Sequence, residues 1–197
     1  PSAFALLALL SKLEDPNAAP AFAEALTTPS PDRSRRASMA ARAIVRLQHI
    51  PTAKRSLLAR ALSTAFVDLV LNAPGAARRA VHAPDPRENG QEQRVRPLPP
   101  GSLPLELIDA MANLEDEGVS ALAELYLRDL PGVAPEVVRE LAQRVSDVAD
   151  EHAVQALIRG LFLRPECALH PLQSIARDGL LRVGPSAIPA LVRAERL

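Results

Sequence analysis

Apolar residues recur three and four positions apart along five stretches of the chain. These are SAFALLALLSKL (2–13), RRASMAARAIVRL (35–47), PLELIDAMANL (104–114), PEVVRELAQRVSDV (135–148) and HPLQSIARDGLLRV (170–183). That spacing predicts amphipathic helices. After a short polar turn, each is followed by a slot for a second helix. Two such slots read EDEGVSALAELYL (115–127) and DEHAVQALIRGLFL (150–163). The unit is therefore a first helix, a tight turn and a second helix.

Prolines mark the same turns. DPNAAPAF (15–22) and GPSAIPAL (184–191) each hold two prolines four residues apart, and IPTAKRSL (50–57) keeps the first of the pair. With Asn17, Thr52 and Ser186 as the expected N-caps, Pro20 and Pro189 fall in a first helical turn, where the backbone N–H has no intrahelical acceptor. Pro16 and Pro51 are 35 residues apart, and Pro51 and Pro185 are 134 apart, or four steps of 33.5. A period of about 34 residues predicts stacked helical hairpins, because one hairpin cannot bury its apolar face alone. One slot departs from the pattern. HAPDPRENGQEQRVRPLPPGSLP (82–104) starts with suitable Pro and Asp residues but never becomes an apolar helix. Residues 84–103 are thus expected to be mainly non-helical, either a decayed second helix or a binding loop. The predicted organisation is one continuous domain: hairpins over 1–82, a Pro-rich polar insertion over 83–103, and hairpins over 104–197.

The segment PDRSRRASMAARAIVRL (31–47), with its early Asp, following Arg and run of alanines, resembles the first helix of a HEAT repeat. LLRVGPSAIPALVRA (180–194) resembles the end of one such first helix together with its second helix. The resemblance covers most of the chain except about 83–103. It implies an all-α, right-handed α-solenoid whose second helices line the concave face. Tetratricopeptide repeats share the period, but their Trp, Gly and Tyr pattern is absent. HEAT-like arrays serve unrelated roles, so the resemblance specifies architecture better than biochemistry.

Composition agrees with helices. The chain is 48% hydrophobic yet 3% aromatic, with no Trp and one Tyr, so the apolar content is Ala, Leu and Val. Such a core favours close helix packing over a sandwich or barrel. No segment is apolar for long enough to span a bilayer. The run AFALLALL (3–10) resembles the apolar part of a signal peptide, but without a basic start or a small-residue cleavage site it reads as a buried helix. A single Cys167 excludes an internal disulfide, which leans towards the cytoplasm. The first residue is Pro rather than Met, the mark of a processed or excised piece, so export stays compatible.

Candidate chemistry is sparse. Acidic clusters at Glu14-Asp15, Glu115-Asp116-Glu117 and Asp150-Glu151 all stand where a second helix begins, a place that favours negative charge through the helix dipole. Cys167 and His170 could share a helix face, but no second pair completes a zinc site, and His49, His82 and His152 are scattered. The repeated His-Glu pairs of deoxyhypusine hydroxylase, a HEAT-like metalloenzyme, are missing; Glu151-His152 is the reverse order and stands alone. No glycine-rich phosphate loop or nucleophile elbow occurs. No catalytic residue, cofactor or metal is expected.

Charge balances at 23 basic and 23 acidic residues, but unevenly. Residues 1–100 carry 14 Lys/Arg and 8 Asp/Glu, a balance of +6; residues 101–197 carry 9 and 15, a balance of −6. The basic side centres on Arg33, Arg35, Arg36, Arg42, Arg46, Lys54 and Arg55. It could track a phosphate backbone, as in HEAT-like DNA glycosylases, but with no Trp and one Tyr, stacking platforms for bases are scarce. Solvated faces and ion pairs between repeats are the preferred reading, and the opposed halves would permit head-to-tail self-association. Aligning the second helices puts Glu24, Arg60, Glu124, Arg159 and Arg193 at nearly equivalent positions. They are expected to form a mixed-sign ladder on the concave face, suited to a protein partner. The expected function is a non-catalytic interaction scaffold for a protein or larger assembly. The alternative is a HEAT-like enzyme, such as a phycobilin lyase or a DNA glycosylase.

Overall fold

The computed structural model describes residues 3–72, 99–128, 135–148, 153–161 and 170–194. All regular structure among them is helical. The chain divides into two compact units, Pro1–Ala73 with Pro99–Ala121, and Pro74–Leu98 with Leu122–Leu197.

The first unit is built from α1 (Ala3–Leu13), α2 (Ala19–Thr27), α3 (Arg33–Arg46), α4 (Thr52–Phe66), α5 (Leu103–Ala112) and the start of α6 (Glu115–Leu127). A 3-10 turn, Pro16–Ala18, leads into α2, and α4 runs on into a π-helical turn at Val67–Leu71. First helices pack on first helices, α1 on α3 and α3 on α5, while the second helices α2 and α4 pack on each other. α2 against α3 and α4 against α5 join the two layers. The composition explains how closely they sit. α3 turns Ala37, Ala40, Ala41 and Ala43 inwards and leaves Ser34, Arg35, Arg42 and Arg46 in solvent. Small side chains let neighbouring backbones approach, and Phe22, Leu26, Ile44, Leu62, Phe66 and Met111 fill the remaining volume.

α5 packs directly on α3, with no helix between them in this layer. The slot counted at about residue 84, and the non-helical stretch expected over 84–103, fall largely on 73–98, outside the described residues. Only the end of that stretch is described, where Ser102 in extended conformation precedes α5.

The turns between first and second helices share a backbone device. Glu14, His49, Glu115 and Gly184 have φ of 50°, 52°, 52° and 72°. Their separations of 35, 66 and 69 residues are close to one, two and two periods. A left-handed residue is a common way to end one helix and redirect the chain. It also changes the expected caps. Asp15, not Asn17, accepts the first N–H: its Oδ1 takes the amide of Asn17 at 2.8 Å. Thr52 is already helical, after Pro51, and no side chain caps that helix. Ser186 lies inside the 3-10 turn Gly184–Ala187, and its hydroxyl donates to the Val183 carbonyl at 3.2 Å. After the left-handed residue the chain is helical almost at once, so these residues come one or two positions too late to cap. The reading of the prolines is unaffected. Pro20 and Pro189 are the second residues of their helices, where no backbone bond is lost.

The second unit contains the end of α6, α7 (Pro135–Val148), α8 (Val154–Leu161), α9 (His170–Val183), a 3-10 turn and α10 (Ile188–Ala194). α9 packs on both α7 and α8, and α8 neighbours α10. Two glycines permit the closest approaches. A Cβ at Gly179 would stand 2.8 Å from Ser146 Oγ and 2.9 Å from Leu157. The Ser146 hydroxyl is buried and donates to the Ile175 carbonyl at 3.0 Å, tying α7 to α9. A Cβ at Gly160 would lie 2.9 Å from both the Tyr126 hydroxyl and Ala176. The Tyr126 hydroxyl is buried there without a hydrogen-bond partner among the described residues. Burial pushes its pKa up to about 12, against the opposing pull of the Arg159 charge.

Candidate functional site

All five residues of the expected ladder, Glu24, Arg60, Glu124, Arg159 and Arg193, are exposed. In the first unit, Glu24 and Arg60 line one groove of about 410 Å³ between α2 and α4. Its walls are Pro20, Ala23, Glu24 and Thr27 from α2 and Leu57, Arg60, Ala61 and Thr64 from α4, two sets that match one to one when taken in order. Every pair is separated by 37 positions. Within each helix the four residues follow i, i+3, i+4, i+7, the spacing of a single face. Lys54 and Asn17 are also 37 apart, and Lys54 Nζ donates to Asn17 Oδ1 at 2.5 Å. The two second helices are therefore parallel and in register at 37.

The groove residues align at a different offset from the one used for the ladder. Counting from the turns made Glu24 equivalent to Arg60, a separation of 36. At an offset of 37 Glu24 corresponds to Ala61 and Arg60 to Ala23, and the two charges belong to opposite walls, Glu24 to α2 and Arg60 to α4. Neither charged end forms an ion pair or hydrogen bond with a described residue. Between them the surface is mostly apolar, with Leu57 41% exposed.

In the second unit, two of the three remaining ladder residues have bonds of their own. The Arg159 guanidinium donates to the carbonyl of Leu127, the last residue of α6. Arg193 Nε donates to the Pro189 carbonyl in its own helix at 3.2 Å. Arg159 thus satisfies one of the orphan carbonyls at a helix end.

The basic residues of 33–55 are largely engaged in joining hairpins. Arg33 bonds Asp68 at 2.7 Å and reaches the Leu26 carbonyl at 3.4 Å, close to the end of α2. Arg42 holds the buried carboxylate of Glu106 at 2.6 Å. Arg55 bonds the Ile50 carbonyl at 2.7 Å, pairs with Glu115, and lies 3.9 Å from Glu117. Arg35 and Arg46 are exposed on α3, and Arg36 is half-buried. Arg33, Arg42 and Arg55 thus act as staples between elements of the first unit.

The acidic cluster at 115–117 occupies the first turn of α6, as expected from the helix dipole. Among the described residues no three His, Cys, Asp or Glu side chains come together as a metal site would require. His82, Asp150, Glu151, His152 and Cys167 lie outside the described residues. No described helix is long and apolar enough to cross a membrane.

The groove itself was missed in the sequence. Its signal was present as the repeated i, i+3, i+4, i+7 sets at a separation of 37, but the turn-based count of 34 to 36 obscured it. No protein-family model matches the chain, and no curated protein or solved structure shows significant similarity to it.

Proposed function

We propose that this chain is a non-catalytic interaction scaffold, a right-handed solenoid of HEAT-like hairpins that holds a protein partner on the face of its second helices. The observation that carries the reading is the groove between α2 and α4, an apolar floor flanked by Glu24 and Arg60, whose charged ends have no partner among the described residues. Charged ends that bond no described residue are available to a partner without breaking any described contact. Three further features support the architecture: left-handed turns near multiples of 34 residues, first helices packed on first helices, and second on second within the first unit. The commitment of Arg33, Arg42 and Arg55 to carboxylates weakens the nucleic-acid alternative.

A photo-crosslinking amino acid at the exposed groove position Thr64, compared with one at Ser34 on the outer surface of α3, tests the reading. Irradiation in the native host should give a protein adduct from position 64 and none from position 34. Adducts from position 34 alone, or none from either, would refute a second-helix binding face.

A further inference from the structure

We infer that the groove between α2 and α4 takes an amphipathic α-helix of the partner, with an apolar stripe flanked by a basic residue on one side and an acidic residue on the other. This rests on the scaffold reading and adds the chemistry of the bound segment.

The groove's dimensions come first. Seven residue steps along each wall, from 20 to 27 and from 57 to 64, give about 10 Å of length, or two helical turns. At its middle stand Ala23 and Ala61, both buried, whose small side chains let another backbone come close. Rows at i, i+3, i+4, i+7 on two parallel helices make ridges with a gap between them, the surface into which side chains of a third helix interdigitate.

Backbone chemistry selects a helix over an extended peptide. A strand laid here would face mostly Pro, Leu, Ala and the aliphatic parts of side chains. Its N–H and C=O groups would find only Thr27 and Thr64 at one end and the two charged ends at the walls. A buried backbone group left unpaired is costly, whereas a helix satisfies its own. Recognition then falls to side chains, with apolar anchors spaced one turn apart.

Charge fixes the flanks and the direction. Glu24 belongs to the α2 wall and Arg60 to the α4 wall, and neither is paired with a described residue. A helix in the groove gains most when its Lys or Arg flank faces α2 and its Asp or Glu flank faces α4. Arg60 can grip a carboxylate through two parallel bonds. Reversing the bound helix end for end exchanges its flanks and sets like charges together, so the pair also selects chain direction.

The probe is a displayed library of 14-residue helical peptides with a fixed Leu stripe and flanks randomised among Lys, Glu and Gln, selected against the full chain. Selection should enrich peptides with Lys on one flank and Glu on the other. The double variant Glu24→Lys/Arg60→Glu should enrich the flank-exchanged arrangement. By fluorescence anisotropy, a peptide selected on the unmodified chain should bind the double variant at least tenfold more weakly, and its flank-exchanged isomer should recover the loss. Both substituted residues are exposed, so the circular dichroism spectrum should not change. No enrichment, enrichment without flank bias, or a bias that fails to invert overturns the inference. If that happens while Thr64 still crosslinks a native partner, the scaffold reading survives alone. If the flanks invert but Thr64 captures nothing, the groove chemistry stands and the scaffold reading falls.

Discussion

Tyr126 offers the sharpest test of the packing in the second unit. It is the only tyrosine in a chain without tryptophan, so its ionisation can be followed without interference. The residue is 6% exposed, and its hydroxyl meets the face of α8 at Gly160 without a hydrogen-bond partner among the described residues. Replacing it by Phe removes a desolvated polar atom and little packing. Tyr126→Phe should therefore leave stability at neutral pH unchanged or raise it by up to about 1 kcal/mol. The larger effect lies at alkaline pH. Burial raises the phenol from 10.0 in the unfolded chain to about 12 in the fold. Below pH 10 both states hold the proton and nothing depends on pH. Between about pH 10 and 12 the unfolded chain loses its proton first, so unfolding becomes easier. The slope is about 1.4 kcal/mol per pH unit, for a total of roughly 3 kcal/mol across the window. Two measurements check this. Tyrosinate absorbance should rise with a midpoint near 12 in the folded chain and near 10 in urea. Urea titrations at several pH values should show a steeper alkaline loss for the unmodified chain than for Tyr126→Phe. A folded-state midpoint near 10, or parallel curves for the two proteins, would show that the hydroxyl reaches water and that the Gly160 contact is wrong.

Other consequences separate packing from surface. Arg60→Glu should change stability by no more than about 0.5 kcal/mol, while Arg159→Glu should cost about 1–2 kcal/mol by uncapping the Leu127 carbonyl; equal losses in chemical denaturation would contradict the distinction. A Cβ on Gly118 would stand 1.8 Å from the Met111 carbonyl oxygen, so Gly118→Ala should cost more than about 3 kcal/mol, and a thermal midpoint like that of the unmodified chain would refute the α5–α6 turn. At Gly184 an added Cβ meets no atom within 4 Å, so Gly184→Ala isolates the conformational cost of positive φ, about 1 kcal/mol. His49→Gly should return a similar amount, and matched opposite shifts in denaturation midpoint would confirm the left-handed turns.

Much of the architecture was legible because it rests on local signals. α7 and α9 span the stretches 135–148 and 170–183 marked out by apolar periodicity, and the prolines sit in first turns. The caps were misplaced for a physical reason. Glu14, His49 and Glu115 adopt a conformation usually left to glycine, and no residue type announces it. With the reversal made there, Asn17, Thr52 and Ser186 fall inside the helical turns they were expected to begin. The groove was hidden by the same effect. The left-handed residues Glu14 and His49 are 35 apart, yet the helices that follow them pack at 37. The helices themselves begin at Ala19 and Thr52, 33 apart, so neither the turns nor the helix starts give the offset of 37. A count anchored at turns cannot see a register set by side-chain packing.

The charge asymmetry carries the same lesson one level up. Along the sequence, the first hundred residues are net positive and the remainder net negative, a division that by itself favours attraction between copies. In the fold, that division does not follow the units. Residues 99–121, which supply Glu106, Glu115 and Glu117, belong to the same unit as Arg42 and Arg55. Those acids come from the negative stretch and those arginines from the positive one, and they meet as ion pairs across 64 and 60 residues of chain. Arg33 and Asp68 close a third pair inside the positive stretch. Opposite charges separated in sequence are thus partly spent inside one unit, holding α3 and α4 to the helices packed beside them. The linear excess overstates what is left for a second copy, and the electrostatic argument for head-to-tail association weakens accordingly. Glu24 and Arg60 stand outside this network, on either side of an apolar groove. Their lack of partners among the described residues, rather than the sign of any region, is what makes the second-helix face the surface to test first.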